Sequence, residues 1–571
     1  MFNYIESVFS VINVKGVKLM LELYGRGVSN GIAIGKLSFY SNPKNNIPKY
    51  TVKDTEAELK RYKVAVEKAK QHLQTLYDEA CKHVSKNESV IFQTHIMMLE
   101  DSKFVETVKS CIINMHINAE YAVRNTAEKI AEIFHSLEDD YLRQRGSDII
   151  DAANTVIEML MPQKEEKLSD DNTPVIIAAN ELLPSETITF QNENLIGFVT
   201  NKGSKNSHTA ILARTMGLPS VIQIKESLSN YDGMEAIIDG QNGRVIIAPD
   251  HKTITQYKVK QKIYLKKQQK LKNQLGLPSI TKNGQKIILS ATLSSLESIG
   301  AAKNNDAEGI GIFKSDYLFI NRNSPPTEEE QLEAYSTILK AFSNSEVVIC
   351  LADLSSEKDI KYLDIPDETN PAIGYRGIRV LLSNNEFFMS QLRALYRASQ
   401  YGHLSILLPM VNNIEEIEYV RRTIEDVKLE LKAKGQKYSD NVKLGALINT
   451  PASAIISDDI CRVSDFIAVG TSTLTQYTLA MDRENQKLEY YYEPYHKAIL
   501  RLIRYVCENA HQKGKTVTIC GELASDVYMT PFFLSLGIDK LSVVPSKLLD
   551  VKSVVRETDT TNASKIISKF V

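Results

Sequence analysis

Apolar positions in this chain follow two periods, and the switches between them divide it. Near the start, Gly25-Arg26-Gly27-Val28-Ser29-Asn30-Gly31-Ile32-Ala33-Ile34-Gly35-Lys36-Leu37 sets turn residues beside a short apolar run. That pattern predicts the opening strand of a domain whose remainder comes later. From Lys49 to Met161 the period lengthens to that of a helix, with Leu59, Tyr62, Val66 and Ala69 on one face, then Ala127, Ile130, Phe134 and Leu137. This stretch holds no proline and a single glycine, Gly146, so it predicts an all-helical insertion built as an antiparallel bundle.

Strand-like runs return at Pro174-Val175-Ile176-Ile177-Ala178-Ala179, Leu195-Ile196-Gly197-Phe198-Val199-Thr200, Pro219-Ser220-Val221-Ile222-Gln223 and Ala236-Ile237-Ile238. Asp239-Gly240-Gln241-Asn242-Gly243 then makes a tight turn into Arg244-Val245-Ile246-Ile247. Together they predict a small α/β domain interrupted by the helical insertion. Asp250 to Gln274 is rich in Lys and Gln, with Tyr257, Ile263 and Leu265 at helical spacing, and predicts a charged helical linker.

Beyond Gly284, apolar strand cores alternate with longer helical patterns. They are Ile287-Ile288-Leu289, Gly309 to Phe313, Val347 to Cys350, Ser405 to Leu408, Leu444 to Ile448, Phe466 to Val469, Val517 to Ile519 and Leu541 to Val544. Eight such cores predict a (β/α)8 barrel, whose chemistry sits on loops at the C-terminal ends of its strands.

Composition changes this picture little. A chain of 571 residues is long enough for several domains. With 43% hydrophobic and 24% charged residues and a net charge of −2, no global basic field points to nucleic acid. Six cysteines (Cys81, Cys111, Cys350, Cys461, Cys507, Cys520) stand without a CxxC pair and read as reduced thiols of a cytoplasmic protein. No apolar run reaches the length of a membrane span. Residues 1–19 carry Val8-Phe9-Ser10-Val11-Ile12 between Glu6 and Lys15, without a small-residue cleavage site, which argues against a signal peptide. Met1 and Met20 both remain readings of the start.

The first candidate for chemistry is Gly203-Ser204-Lys205-Asn206-Ser207-His208-Thr209-Ala210-Ile211-Leu212-Ala213-Arg214. His208 stands where a glycine-containing loop leaves a strand and enters a helix, near free backbone N–H groups and the positive dipole end. Such a place suits a phosphate or a phosphorylated imidazole. A histidine that merely satisfies hydrogen bonds at a helix start is the alternative, and this stretch alone leaves both open.

Taken with Ile91-Phe92-Gln93-Thr94-His95, Asp140 to Arg145, Asn370-Pro371-Ala372-Ile373-Gly374-Tyr375-Arg376, Leu474 to Ala480 and Cys520-Gly521-Glu522-Leu523-Ala524, this segment resembles enzyme I of the bacterial sugar phosphotransferase system. The resemblance covers almost the whole chain after Met20. It implies an α/β multidomain protein: an N-terminal extension (1–20), then a swivelling phosphohistidine α/β domain (21–50 and 165–250) around an all-helical insertion (51–164). A helical linker (251–281) and a phosphoenolpyruvate-utilising (β/α)8 barrel (282–571) complete it. It further implies that His208 takes a phosphoryl group from phosphoenolpyruvate and passes it to an HPr-like phosphocarrier docked on the insertion. Cys520 would protonate the enolate as pyruvate forms, Arg376 and Arg483 would bind substrate, Mg2+ would assist, and the barrel would mediate a homodimer. Arginine's planar fork suits phosphate and carboxylate alike.

The donor site departs from the family pattern. Lys314 stands where the family has an arginine after its GIGLF-type strand, and Cys350 replaces a second phosphate-binding arginine. The D-x-G-G-D-K pattern reads Asp353-Leu354-Ser355-Ser356-Glu357-Lys358. Asn449 and Thr473 occupy the positions of the magnesium carboxylates, and Ser472 precedes Thr473 where the family has Asn. Near His208, Ser204, Lys205 and Asn206 are milder changes. Two readings follow: a working phosphoenolpyruvate-protein phosphotransferase with an altered donor site, or a degenerate paralogue that binds or exchanges phosphate with a phosphocarrier but uses phosphoenolpyruvate poorly or not at all. An ATP-using dikinase fits less well, because the chain has no Walker-type glycine loop.

Overall fold

Residues 21–40 and 174–247 supply short, β-branched runs that pair into one sheet. A computed structural model describes residues 20–40, 47–83, 86–135, 140–161, 174–182, 194–203, 210, 213–214, 216–320, 322–358, 360, 362–483, 485–488 and 490–571. The extension before Met20, Leu137 and the segment Ser204–Thr209 with His208 lie outside these residues. The chain divides into two compact units, Met1–Gln268 and Gln269–Val571.

In the first unit the strands are β1 (Leu21–Tyr24), β2 (Arg26–Ser29), β3 (Ile32–Tyr40), β4 (Val175–Ala179), β5 (Leu195–Thr200), β6 (Ser220–Ile222), β7 (Glu235–Asp239) and β8 (Arg244–Ile247). Their order is β1-β8-β7-β3-β4-β5-β6-β2. The central run β3-β4-β5-β6 is parallel, and β7, β8, β1 and β2 flank it antiparallel. Leu37, Ile176, Val199, Val221, Ile238 and Val245 form its core. The Asp239–Gly243 turn is glycine-dependent, since a Cβ on Gly240 would lie 2.0 Å from the carbonyl oxygen of Ser29.

Between β3 and β4 the chain leaves the sheet for five helices: α1 (Thr55–His83), α2 (Lys86–Glu100), α3 (Ser102–Met115), α4 (Ala119–His135) and α5 (Asp140–Leu160). Tyr62, Ala69 and Ala127 from the helical pattern are buried, with Phe92, Phe104, Ile112 and Val156 completing the core. Leu59, Val66 and Ile130 pack against it from its edge.

Helix α6 (His251–Lys272) follows β8 within the segment read as a charged helix. Ile263 and Leu265 are exposed, at 63% and 59%. Tyr257 is buried against Ile237 and Ile246, with Ile254, Ile32 and Ile34 around it. The Gln261 side chain donates to the carbonyl of Ile32 at 2.8 Å. The inward face therefore steps through 254, 257, 261, 264, 268 and 271, and an aliphatic residue off that line faces solvent.

The second unit is the expected barrel. Its strands are β9 (Ile288–Leu293), β10 (Ile310–Lys314), β11 (Glu346–Cys350), β12 (His403–Leu408), β13 (Lys443–Ile448), β14 (Phe466–Gly470), β15 (Thr516–Cys520) and β16 (Lys540–Val543). All pair in parallel, and β16 closes on β9. Each predicted strand core falls within or overlaps one of them. The lumen is filled by Ile312, Val348, Cys350, Leu407, Phe466, Ala468 and Cys520, so this is a packed core rather than a pore.

Candidate active site at the mouth of the barrel

Several of the sequence candidates converge where β10, β11, β13, β14 and β15 end. Lys314, the last residue of β10, is in register with Cys350 at the end of β11. Gly470 of β14 is in register with Cys520 of β15. Asn449 follows β13, and its Cβ lies 3.4 Å from the point where a Cβ on Gly470 would stand.

Cys520 is held by its surroundings. The thiol is buried and donates to the carbonyl of Val469 at 3.1 Å, while the Thr471 hydroxyl donates to the carbonyl of Cys520 at 2.8 Å. Burial pushes its pKa up to about 12, with Lys314 opposing. Burial therefore favours the neutral S–H over the thiolate. Cys350 is likewise buried and held well above the ordinary thiol range by burial first, then by Asp353 and Asp316. Shared electrostatics with Lys314 tie the two thiols to the same end of the lumen.

Gly521 turns the chain after Cys520 with φ +87, a conformation that a side chain rarely adopts. A Cβ there would sit 2.6 Å from Thr471 Oγ1 and 3.0 Å from Ser472 Oγ. The glycine lets the Glu522 N–H reach the Ser472 hydroxyl oxygen at 3.1 Å. Ser472 and Thr473 stand, half-buried, in the first turn of the helix Thr471–Leu479. Tyr492 donates to the Ser472 carbonyl at 3.3 Å and feels both Glu522 and Arg483, which brings the exposed Arg483 to this rim.

Arg376 lies across the mouth. Its guanidinium binds Asp353 through two hydrogen bonds, 2.8 and 3.2 Å, and its Nη1 approaches the Ala372 carbonyl at 3.4 Å. Burial works against its charge, but Asp353 outweighs burial and raises its pKa. Tyr477, on the helix that carries Ser472 and Thr473, donates to that same Ala372 carbonyl. Lys358 donates to Asp316 at 2.6 Å and to the Asp353 carbonyl at 2.5 Å.

The structure therefore brings together Lys314, Arg376, Asn449, Ser472, Thr473, Arg483 and Cys520. Sequence reasoning missed Tyr477, Tyr492 and Asp316 as parts of the site. Tyr477 lies inside the Leu474–Ala480 motif, whereas Tyr492 sits in a tyrosine run with no local signal of its role.

The donor set does not fit Mg2+. Asn449 is 3% exposed, and its Oδ1 has no hydrogen-bond partner among the described residues. Thr473 adds a hydroxyl, Asp353 is engaged by Arg376 and Asp316 by Lys358. No group of three His, Cys, Asp or Glu among the described residues converges on a point suited to a metal. Magnesium is a hard cation that selects charged oxygens and gives up its water reluctantly. An amide and a hydroxyl are poor substitutes.

Three family models match the chain, all of PEP-utilising enzymes: the PEP-binding domain over residues 267–560, the N-terminal region over 24–145 and the mobile domain over 172–243. The phosphoenolpyruvate-protein phosphotransferase of Bacillus subtilis (strain 168) is 34% identical over 553 residues, 97% of this chain and 97% of that protein. That of Staphylococcus carnosus (strain TM300) is 33% identical over 551 residues, 96% of each. A solution structure of an Enzyme I protein (nEIt) is 35% identical, covers 42% of this chain and 99% of its own, and gives a TM-score of 0.36.

Proposed function

Because the chain belongs to the phosphoenolpyruvate-protein phosphotransferase family of PEP-utilising enzymes, we propose that it moves a phosphoryl group from phosphoenolpyruvate to His208 and on to an HPr-like phosphocarrier. The observation that supports this reading is the thiol of Cys520, buried at the C-terminal end of β15 and donating to the carbonyl of Val469 at 3.1 Å. In the donor step the imidazole nitrogen of His208 attacks phosphorus, and the bond from phosphorus to the enol oxygen breaks. The enolate electrons take a proton at carbon from Cys520, giving pyruvate, and water reprotonates the thiolate. Phosphohistidine then gives the group to the carrier's histidine without ATP.

Arg376 and Arg483 hold the anion in this reading, with Lys314, Ser472 and Thr473 beside them. The helical insertion is the carrier's docking surface. Met97 and Met115 stand exposed there, and methionine-bearing surfaces adapt readily to protein partners. Homodimerisation through the barrel belongs to the same reading.

A second reading is favoured by one observation, the neutral pair Asn449 and Thr473 at the donor site. In it the chain exchanges phosphate between His208 and a carrier, or only docks one, without turning over phosphoenolpyruvate. The test is labelling of His208 by radiolabelled phosphoenolpyruvate with Mg2+ and, separately, by labelled phospho-HPr. Rapid labelling from phosphoenolpyruvate sinks the second reading. Labelling from phospho-HPr alone sinks the first, and labelling from neither leaves docking.

A further inference from the structure

We infer that the mouth of this barrel works as a cation-free site: it holds no divalent metal, and its ligand, a small phosphorylated carboxylate, meets Lys314, Arg376 and Arg483 directly. The inference rests on the reading that phosphoenolpyruvate enters this mouth. It goes further in stating which charges hold the ligand there.

The residues that a cation would meet are of the wrong kind. Asn449 offers a buried amide whose Oδ1 is unpartnered, and Ser472 and Thr473 offer hydroxyls, one of which already accepts from the Glu522 N–H. The inner carboxylates are occupied: Asp353 accepts two hydrogen bonds from Arg376, and Asp316 pairs with Lys358 at 2.6 Å. Glu357 leans toward the same Arg376 at 3.9 Å, and Asp482 and Glu522 are exposed on the outer rim. A divalent ion would lose hydration without gaining a pair of free carboxylates, and it would approach Lys314, Lys358, Arg376 and Arg483.

An anion meets the opposite situation. Lys314 and Arg483 are exposed and form no ion pair among the described residues. Arg376 is mostly buried, so its charge is poorly screened, and a ligand oxygen that displaces part of the Asp353 contact faces a stronger partner than a surface lysine. The unpartnered atom of Asn449 is Oδ1, an acceptor, so a water carried with the ligand, rather than an oxygen of the anion itself, would satisfy it by donating to it.

Titrating the full-length protein with phosphoenolpyruvate in EDTA and again in millimolar Mg2+, by calorimetry, should give affinities within about twofold of each other. The Mn2+ electron-spin signal should keep its free-ion intensity when the protein is added, with or without phosphoenolpyruvate. The double variant Asn449→Glu with Thr473→Asp should then bind Mn2+ and show a melting temperature that rises with the ion. A tenfold gain in phosphoenolpyruvate affinity on adding Mg2+, or stoichiometric Mn2+ binding by the wild type, overturns the inference while leaving the proposed transfer to His208 intact. Absence of phosphoenolpyruvate binding in both media overturns the inference and the donor reading together. The wild-type measurements decide the matter even where the double variant fails to fold.

Discussion

Arg376 and Asp353 face each other as a bidentate pair, Nη2 to Oδ2 at 2.8 Å and Nε to Oδ1 at 3.2 Å, at the rim where substrate anions are proposed to bind. The pair orients the arginine and also competes for it. Replacing Asp353 by Asn removes the counter-charge and leaves a mostly buried guanidinium that a ligand anion can neutralise instead. We expect Asp353→Asn to lower stability by about 2 kcal/mol, the scale of hydrogen bonds to charged groups. The same change should tighten phosphoenolpyruvate binding several-fold in calorimetry. Weaker binding would mean that Asp353 acts chiefly by holding Arg376 in place.

Gly521 makes a second, more local prediction. Its φ of +87 and the 2.6 Å that would separate an added Cβ from Thr471 Oγ1 act together. Gly521→Ala should destabilise the barrel by roughly 1 to 3 kcal/mol, the cost of a strained backbone residue. The chain after Cys520 must also shift, breaking the contact of the Glu522 N–H with Ser472. A denaturation midpoint equal to that of the wild type would show that this turn relaxes freely.

The barrel was legible because a strand covered on both faces needs an unbroken apolar run, and eight such runs stand out between polar helices. The helical insertion was legible from its period and its lack of breakers. Less was visible in α6, where helical spacing gives the helix but not which residues pack: Tyr257 is buried with Ile254 beside it, whereas Ile263 and Leu265 are exposed. Motifs carried Cys520, Arg376 and Arg483 to the mouth of the barrel. They did not reveal that Arg376 is bound by Asp353, or that Tyr492 reaches Ser472, because such pairings depend on loops that the barrel alone brings together.

His95 and Asp148 predict an unusual acid response of the helical bundle. His95 is fully buried, and burial takes its pKa from 6.5 down to about 3, so its 3.8 Å approach to Asp151 is not an ion pair at neutral pH. Stability from the neutral histidine is present above pH 6.5 and is lost as pH falls toward 3. Burial raises Asp148 from 3.8 to about 6, with Arg145 opposing and Asp151 adding, so its contribution is present below 3.8 and lost as pH rises through 6. The two slopes oppose each other between pH 4 and 6. In His95→Leu only the second remains, and the urea midpoint of the first unit should rise as pH falls from 6 to 4. A variant that still loses stability toward acid across this window would show that other groups control it.

Cys520 gives the sharpest test of the donor chemistry. A thiol whose pKa is pushed up to about 12 stays protonated where an ordinary cysteine begins to ionise, near pH 9. Its alkylation by iodoacetamide should therefore remain slow through pH 10 and speed up only as pH approaches 12. The same protonation state suits a group that delivers a proton to enolate carbon. Cys520→Ser keeps a small O–H but alters its acidity and reach, and should lower phosphoryl transfer from phosphoenolpyruvate by roughly 10²- to 10⁴-fold, the range for a positioned acid. Exchange between His208 and a phosphocarrier needs no carbon protonation, so it should be unchanged in that variant. An equal fall in both reactions would assign Cys520 to the packing of the lumen. Loss of the donor reaction alone would assign it to the proton.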